Sequence, residues 1–142
     1  IEPLSKEFDS EWLIKTLKSH KKMIKPLLLD QKIIAGLGNI YIDEALWHTK
    51  IHPKSICSKI TRHKINLLCF TIKDILTNAL KHKGTTIINF SYGNNEKGDF
   101  KKQLKVFSKE NQPCKKCNEK ITKEFVGQRG THFCKKCQIL YK

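Results

Sequence analysis

The chain has 142 residues, with 28 lysines and arginines against 13 aspartates and glutamates, and a formal net charge of +15. A charge excess of this size attracts polyanions, and nucleic acid is the polyanion that compact basic domains most often bind. An anionic membrane surface is the alternative partner, but no apolar run is long enough to span a bilayer and the basic residues are dispersed rather than gathered in one tail.

Two amphipathic helices are predicted at the start of the chain. Apolar residues recur at helical spacing from Asp9 to His20, with Asp9 or Ser10 as candidate N-caps. A basic stretch then leads into a second helix, in which Pro26 suits the first turn. Proline is tolerated there because its fixed φ is helical and its missing N–H group has no helical partner at that position.

Two further helices are predicted before residue 84. Gly36 and Gly38 interrupt the helical pattern ahead of the third helix, which Asn39 is placed to cap. A long apolar stripe then predicts a fourth helix over residues 61–83, which Gly84 ends. The first part of the chain is therefore predicted to be mainly helical.

Helical periodicity is lost between residues 84 and 112. Glycine and asparagine are frequent within residues 92–98, a composition that suits a mobile loop on a rigid scaffold, where binding residues tend to lie. A plain linker between the helical part and the C-terminal part is the alternative interpretation.

Four cysteines near the C-terminus form two Cys-x2-Cys pairs with 16 residues between them: Cys114, Cys117, Cys134 and Cys137. This spacing predicts one tetrahedral Zn²⁺ site, with each pair on one knuckle of a short β-hairpin. A disulfide framework would need an oxidising compartment, and because no stretch is typical of a secretory signal, we expect a reducing cytosol or organelle matrix. Cys57 and Cys69 are predicted to be small apolar core residues or surface residues without a role, rather than metal ligands.

A candidate phosphate-binding site precedes the third helix. The glycines of residues 36–39 let the backbone approach a ligand closely, and a helix N-terminus offers unpaired N–H groups with a partial positive charge. Together they can bind a phosphate, to which the Asn39 side chain can add a donor. Taken alone, the motif is better explained as an ordinary interhelical turn with an N-cap. Lys21, Lys25 and Arg129 add cations, and a guanidinium can bind two phosphate oxygens at once.

Several blocks of the chain resemble, in the same order, the bacterial formamidopyrimidine-DNA glycosylases. The similar blocks are DQKIIAGLGNIYIDEAL (30–46), IHP (51–53), GTT (84–86) and QRGTHFCKKCQ (128–138). They are similar to the helix–two-turn–helix of that family, to the start of its lesion loop and to the end of its zinc finger. The resemblance begins at residues 2–4, which are similar to the family's interdomain linker.

The resemblance implies a mainly α fold, in which a helix–two-turn–helix bundle is followed by a small β-hairpin zinc finger. Residues 1–8 would be an interdomain linker remnant, and residues 9–112 a DNA-binding domain with a lesion-recognition loop. Residues 113–142 would be the zinc finger, with one Zn²⁺ bound by the four cysteines.

Members of this family excise oxidised purines, chiefly 8-oxoguanine and formamidopyrimidines, and then cut the strand at the abasic site. The damaged nucleotide must first leave the base stack, because its sugar cannot be reached inside a duplex. The resemblance implies that damaged double-stranded DNA is the partner and that Asn39 and Arg129 bind the phosphates flanking the everted nucleotide. Arg129 would also assist the final δ-elimination. A DNA-contacting lysine of the family corresponds to His20 or to the adjacent Lys21, and Lys25 is a further candidate.

The family's nucleophile is an N-terminal proline amine on a β-sandwich domain, and no part of the sequence resembles that domain. Because no Schiff base can form without that amine, we expect this chain to be catalytically inactive alone and active only with the missing domain. Ile88, Lys97 and residues 107–109 also depart from the residues usual in the family, which affects base capping and the entrance to the finger.

Two other functions fit parts of the sequence. One is a stand-alone module that binds damaged DNA, and the other is a glycosylase of the sister branch that acts on oxidised pyrimidines. Residues 84–86 and 128–134 favour the purine-directed branch, whereas a zinc ribbon of a transcription or ribosomal protein would share the cysteine spacing alone. We expect a monomer without membrane association that acts in a bacterial cytoplasm or nucleoid, or in an organelle.

Overall fold

The computed structural model describes residues 1–81 and 103–142. In these ranges the chain forms four α-helices, one 3₁₀ turn and one two-stranded sheet. The helices are α1 (Ser10–Lys18), α2 (Ile24–Leu29), α3 (Asn39–Thr49) and α4 (Arg62–Lys81), with the 3₁₀ turn Cys57–Lys59 before α4. The strands are β1 (Thr122–Val126) and β2 (Arg129–Phe133). The predicted class, mainly α with a C-terminal β-hairpin, is confirmed.

Helix α1 begins as the sequence predicts. The Asp9 carboxylate accepts a hydrogen bond of 2.8 Å from the backbone N–H of Trp12 and satisfies one of the free donors at the helix start. The helix ends at Lys18, two residues before the predicted end at His20. Pro26 lies in the first turn of α2, as predicted.

The helices α1, α3 and α4 pack together around one apolar core. Helix α4 begins at Arg62, and its predicted end at Gly84 lies outside the described residues. Cys57 and Cys69 are 0% and 3% exposed within this core, which confirms that they are apolar packing residues. Within residues 1–81 and 103–142, no helix has the length and apolar composition needed to cross a bilayer.

The N-terminus of α3 differs from the prediction in one residue. Gly38, in an extended conformation with φ −86° and ψ 163°, is the N-cap, and Asn39 is the first helical residue. The prediction that Asn39 caps the helix is therefore wrong. A glycine cap has no side chain to accept from the first turn, so the N–H groups at this end have no side-chain partner in the helix.

The hairpin turns through two residues, Gly127 and Gln128, with φ values of +58° and +67°. Two successive residues with positive φ form the tight turn that matches the twist of antiparallel strands. A Cβ added to Gly127 would lie 2.7 Å from Cγ of Pro26. The tip of the hairpin therefore lies directly against the first turn of α2.

The residues after β2 return to the helical part of the molecule. The backbone N–H of His52 donates to the Ile139 carbonyl and that of Ile139 donates to the Lys50 carbonyl, both at 2.8 Å. The N–H of Ile56 donates to the Tyr141 carbonyl at 2.7 Å. These bonds attach the C-terminal tail to the segment that follows α3.

Candidate nucleic-acid interface and metal centre

The four paired cysteines converge on one point. Their sulfur atoms lie within 4.8 Å of one another, with Cys117 and Cys134 3.4 Å apart and Cys114 and Cys137 3.8 Å apart. A zinc ion with Zn–S bonds of about 2.3 Å sets sulfur–sulfur distances of about 3.8 Å at the edges of its tetrahedron. A disulfide would need about 2.05 Å. The geometry thus fits a single structural Zn²⁺ bound by four thiolates, with no open coordination position.

The pKa values of two of these thiols, Cys114 and Cys137, explain why a bound cation suits the site. Burial opposes ionisation of Cys114, but N–H donors from the Trp47 indole and the Lys116 backbone outweigh it and lower the pKa of this thiol to about 6. Burial and the neighbouring thiols raise the pKa of Cys137 to about 12. Four thiolates at this spacing repel one another, and a bound Zn²⁺ would deprotonate and hold them all.

Trp47 connects helix α3 to the metal centre. Its indole N–H donates to the Cys114 sulfur at 3.3 Å, and both side chains are buried. The Lys116 ammonium lies 4.1 Å from the centre of the Trp47 ring and donates to the Trp47 carbonyl at 3.1 Å. The Lys116 ammonium is therefore stabilised by the aromatic face of Trp47 and by the partial negative charge at the C-terminus of α3.

Asp43 connects α3 to α2 and to the hairpin. Its carboxylate is fully buried and accepts from the Lys25 ammonium. It also accepts from the backbone N–H of His132 at 3.0 Å, and its oxygen lies 3.2 Å from Nδ1 of the same residue. One buried carboxylate therefore fixes β2 relative to two helices.

Glu44 attaches the entrance of the finger to α3. Its carboxylate is buried and accepts three backbone N–H groups, those of Lys105, Val106 and Phe107, at 2.7 to 2.9 Å. Burial raises the pKa of Glu44, and the three N–H donors oppose that shift. The side chain acts as an anion cap for the segment that leads into the finger. Val106 then packs against Trp47 in the apolar cluster around the metal centre.

Asn39 lies at the contact between α3 and β2. Its side-chain amide donates to the Gly130 carbonyl at 3.2 Å. The amide group carries a second hydrogen, and the N–H groups of the first turn of α3 lie beside it. Arg129, the neighbour of Gly130, is exposed at the start of β2. Asn39 is therefore hydrogen-bonded to the residue that follows Arg129 in β2.

Lys25 does not lie where a DNA-contacting residue must lie. Its side chain is 0% exposed and paired with Asp43, so it has no access to a ligand in solution, and the expectation of a direct contact is wrong. Burial lowers the pKa of Lys25, the Asp43 carboxylate opposes this, and the charge of Arg129 adds to the lowering. Lys25 instead supports the carboxylate that holds the hairpin.

The other two basic candidates lie between α1 and α2. His20 is half-buried, and its Nδ1 lies 2.7 Å from the Thr16 carbonyl at the end of α1. Lys21 is exposed. Of these two neighbours, Lys21 is the one whose charge is presented to solvent.

Asp43, Glu44, Trp47 and His132 organise the site, but sequence reasoning did not select them. One signal was available: two adjacent carboxylates in a largely apolar helix of a chain with a net charge of +15. Charged residues on a buried helix face need partners.

The predicted lesion-recognition loop, including Ile88 and Lys97, lies outside the described residues. Phe107 is described, and its ring packs edge-on against the His132 ring at 4.8 Å.

Two family models match the chain. The formamidopyrimidine-DNA glycosylase H2TH domain matches residues 1–91, and the zinc finger found in FPG and IleRS matches residues 111–139. A formamidopyrimidine-DNA glycosylase from Lactobacillus helveticus is 48% identical over 141 residues, which are 99% of this chain and 51% of the relative. The chain thus spans about half the length of the curated relatives that it matches.

Solved structures agree with these matches. The Lactococcus lactis formamidopyrimidine-DNA glycosylase bound to DNA containing an AP site superposes with a TM-score of 0.83 at 39% identity, over 96% of this chain and 48% of that one. Its complex with FAPY-dG-containing DNA superposes with a TM-score of 0.84 at 40% identity, over 96% and 49%. The helical bundle, the metal-binding hairpin and the relatives together show that the chain belongs to the formamidopyrimidine-DNA glycosylase family, of which it carries the H2TH domain and the zinc finger.

Proposed function

We propose that this chain is the DNA-binding part of a bifunctional base-excision-repair glycosylase and AP lyase. The full enzyme would remove oxidised purines, such as 8-oxoguanine and formamidopyrimidines, and nick the strand at the resulting abasic site. The names of the relatives and the AP-site and FAPY-dG complexes of the L. lactis protein support this proposal. So does the net charge of +15, which suits a polyanionic partner.

The observation that carries the proposal is the hydrogen bond between Asn39 and the Gly130 carbonyl. It attaches the N-terminus of an 11-residue helix, with the Asn39 amide donor, to the residue that follows the exposed Arg129. A helix N-terminus and a guanidinium both bind phosphate oxygens well. In the proposed complex, Asn39 and Arg129 bind the phosphates on either side of the everted nucleotide.

The remaining roles follow from where the basic residues lie. Lys21 is the better candidate for the third phosphate contact, because His20 is half-buried against the end of α1. Arg129 would also assist δ-elimination by stabilising the departing phosphate. The nucleophilic amine would come from the family's N-terminal β-sandwich domain. We propose a monomer that acts on the DNA of a bacterial cytoplasm or nucleoid.

Binding to a fluorescent duplex with one tetrahydrofuran abasic-site analogue tests the phosphate site. Arg129→Ala should weaken binding by about 1.5–3 kcal/mol, the range for a hydrogen bond to a charged group. The slope of log K against log salt should fall by about one unit, because one phosphate contact is lost. Arg62→Ala is the matched control, since Arg62 and Arg129 are the two arginines of the chain and Arg62 is exposed at the start of α4.

Equal affinities and salt slopes for the parent and Arg129→Ala would remove Arg129 from the phosphate site. A parent chain that binds intact and abasic duplexes equally well at every salt concentration would contradict the proposed recognition of damaged DNA. A loss in Arg62→Ala equal to that in Arg129→Ala would reduce the effect to net charge alone.

A further inference from the structure

Phe125 lies on the hairpin with its ring largely in solvent. The side chain is 76% exposed, more than any other large apolar side chain in residues 1–81 and 103–142. It pairs across the sheet with Gly130. Directly paired residues of antiparallel strands project from the same face of the sheet, and a glycine offers no side chain to cover the neighbouring ring. The register of the hairpin therefore leaves one face of Phe125 open.

The hairpin that carries Phe125 is held in place from several sides. Its tip lies against Pro26, its strand β2 is fixed by Asp43 and Asn39, and its base is the metal centre. A phenylalanine side chain left in water forgoes the favourable free energy of burying its ring. An exposed ring on a well-fixed element thus resembles the binding surfaces that other proteins present, and not a loosely packed loop.

The surroundings of the ring indicate the chemistry of its partner. Lys123 lies two residues away on the same face of β1, and its Cε is 3.3 Å from where a Cβ on Gly130 would be. Arg129 is exposed beside Gly130. The nearest acid along the strand, Glu124, projects from the opposite face and is paired with Lys54 at 2.8 Å. Arg129 pairs with Val126 and leaves the hairpin from the other face, so Lys123 is the cation on the face of the ring. An aromatic ring with a cation beside it matches the surface on which proteins bind nucleic acid strands.

We infer that Phe125 contacts DNA, with its ring packed on the apolar face of a nucleotide in the strand that Arg129 binds. This inference rests on the proposed function, since it uses the DNA strand that Arg129 is proposed to bind. Phe125 pairs with Gly130, the chain neighbour of Arg129, so the Phe125 and Arg129 side chains leave the hairpin at adjacent positions, from its two opposite faces. When a nucleotide leaves the stack, the adjacent base and sugar lose an apolar neighbour that the ring can replace.

The test measures binding of single variants of the whole chain to the tetrahydrofuran duplex. Phe125→Ala should weaken binding by roughly 5- to 150-fold, the range for loss of one aromatic–base contact. The salt slope should stay at the parent value, because an apolar ring releases no counterion. Phe125→Trp should retain the parent affinity. Phe70→Ala is the matched control, because Phe70 is 69% exposed but lies on α4, away from the hairpin.

Three results would overturn the inference. The first is Phe125→Ala binding as tightly as the parent while Arg129→Ala binds more weakly, which would leave the proposed function intact. The second is an equal loss in Phe70→Ala, which would indicate a general effect of exposed rings. The third is a parent chain that dimerises in light scattering while Phe125→Ala stays monomeric, which would make a second copy of the chain the partner. Failure of the proposed function is distinct, since Arg129→Ala would then also bind like the parent.

Discussion

Asp43 illustrates how a single buried carboxylate can organise a binding surface that it does not touch. It is paired with Lys25 and with the backbone of His132, and all three positions are buried. The pairing explains why a lysine next to a basic stretch lies inside the molecule. Its ammonium neutralises a carboxylate whose other oxygen holds β2, and so Lys25 acts on the site through Asp43.

Asp43→Asn should lower the free energy of unfolding by about 3–5 kcal/mol. The substitution keeps the shape of the side chain but leaves the Lys25 charge buried without its counterion, which is the costly outcome for a buried pair. Urea unfolding followed by circular dichroism measures the change. Asp74→Asn makes the same substitution on the exposed face of α4 and should stay within about 0.5 kcal/mol of the parent. If Asp43→Asn changed the free energy of unfolding as little as Asp74→Asn does, the Lys25–Asp43 pair would add nothing to stability.

Helix α3 is the element on which the whole site depends. Its first residue contacts Gly130, its middle holds Asp43 and Glu44, and its last turns carry Trp47. Contacts with this one helix of 11 residues therefore fix the positions of both the hairpin and the metal centre. A displacement of either end of the finger would have to break bonds to this helix.

Trp47→Phe should weaken zinc binding by about tenfold, the lower end of the range for loss of a hydrogen bond to a metal ligand. Phenylalanine keeps an aromatic ring beneath Lys116 but removes the indole donor to the Cys114 sulfur. Competition with a chromophoric chelator measures the affinity. Trp12→Phe changes the other tryptophan of the chain, on α1, and should leave it unaltered. Equal affinities in the two variants would mean that the N–H···S bond does not support the metal.

Much of the fold could be predicted from the sequence, because many of its features are determined by residues that are close together along the chain. The cap at Asp9, the helical stripes and the cysteine spacing each depend on residues a few positions apart, and all three predictions are confirmed. The family and its zinc site followed from the same blocks of sequence. The predicted domain limits at residues 8 and 112 stay predictions.

The errors concern contacts between distant parts of the chain. Lys25 and Asp43 are 18 positions apart, and Asn39 and Gly130 are 91 apart. No local pattern reveals that a basic residue will turn inward to a particular carboxylate. Nor does it reveal that an asparagine at a helix start will bond a hairpin carbonyl in place of its own first turn. The DNA contacts of Asn39, Arg129 and Lys21 remain predictions.

The chain as a whole should form no covalent adduct with an abasic oligonucleotide in the presence of borohydride. The proposed enzyme needs a secondary amine at the N-terminus of its catalytic domain to attack the sugar, and no part of the sequence resembles that domain. Gel electrophoresis of the trapping reaction measures the adduct. A full-length bacterial relative is the positive control. A specific adduct with this chain would show that a lysine or the terminal amine replaces the missing nucleophile.

The C-terminal tail bonded to residues 50–56 has a consequence for the apo protein. Together with the Glu44 cap at residues 105–107, it anchors the finger at both ends independently of the metal. If chelation empties the site, the four thiols stay tethered near one another, so their effective molarity for rebinding an ion remains high. We therefore expect loss of the metal to open the hairpin locally and reversibly while the surrounding helices stay folded.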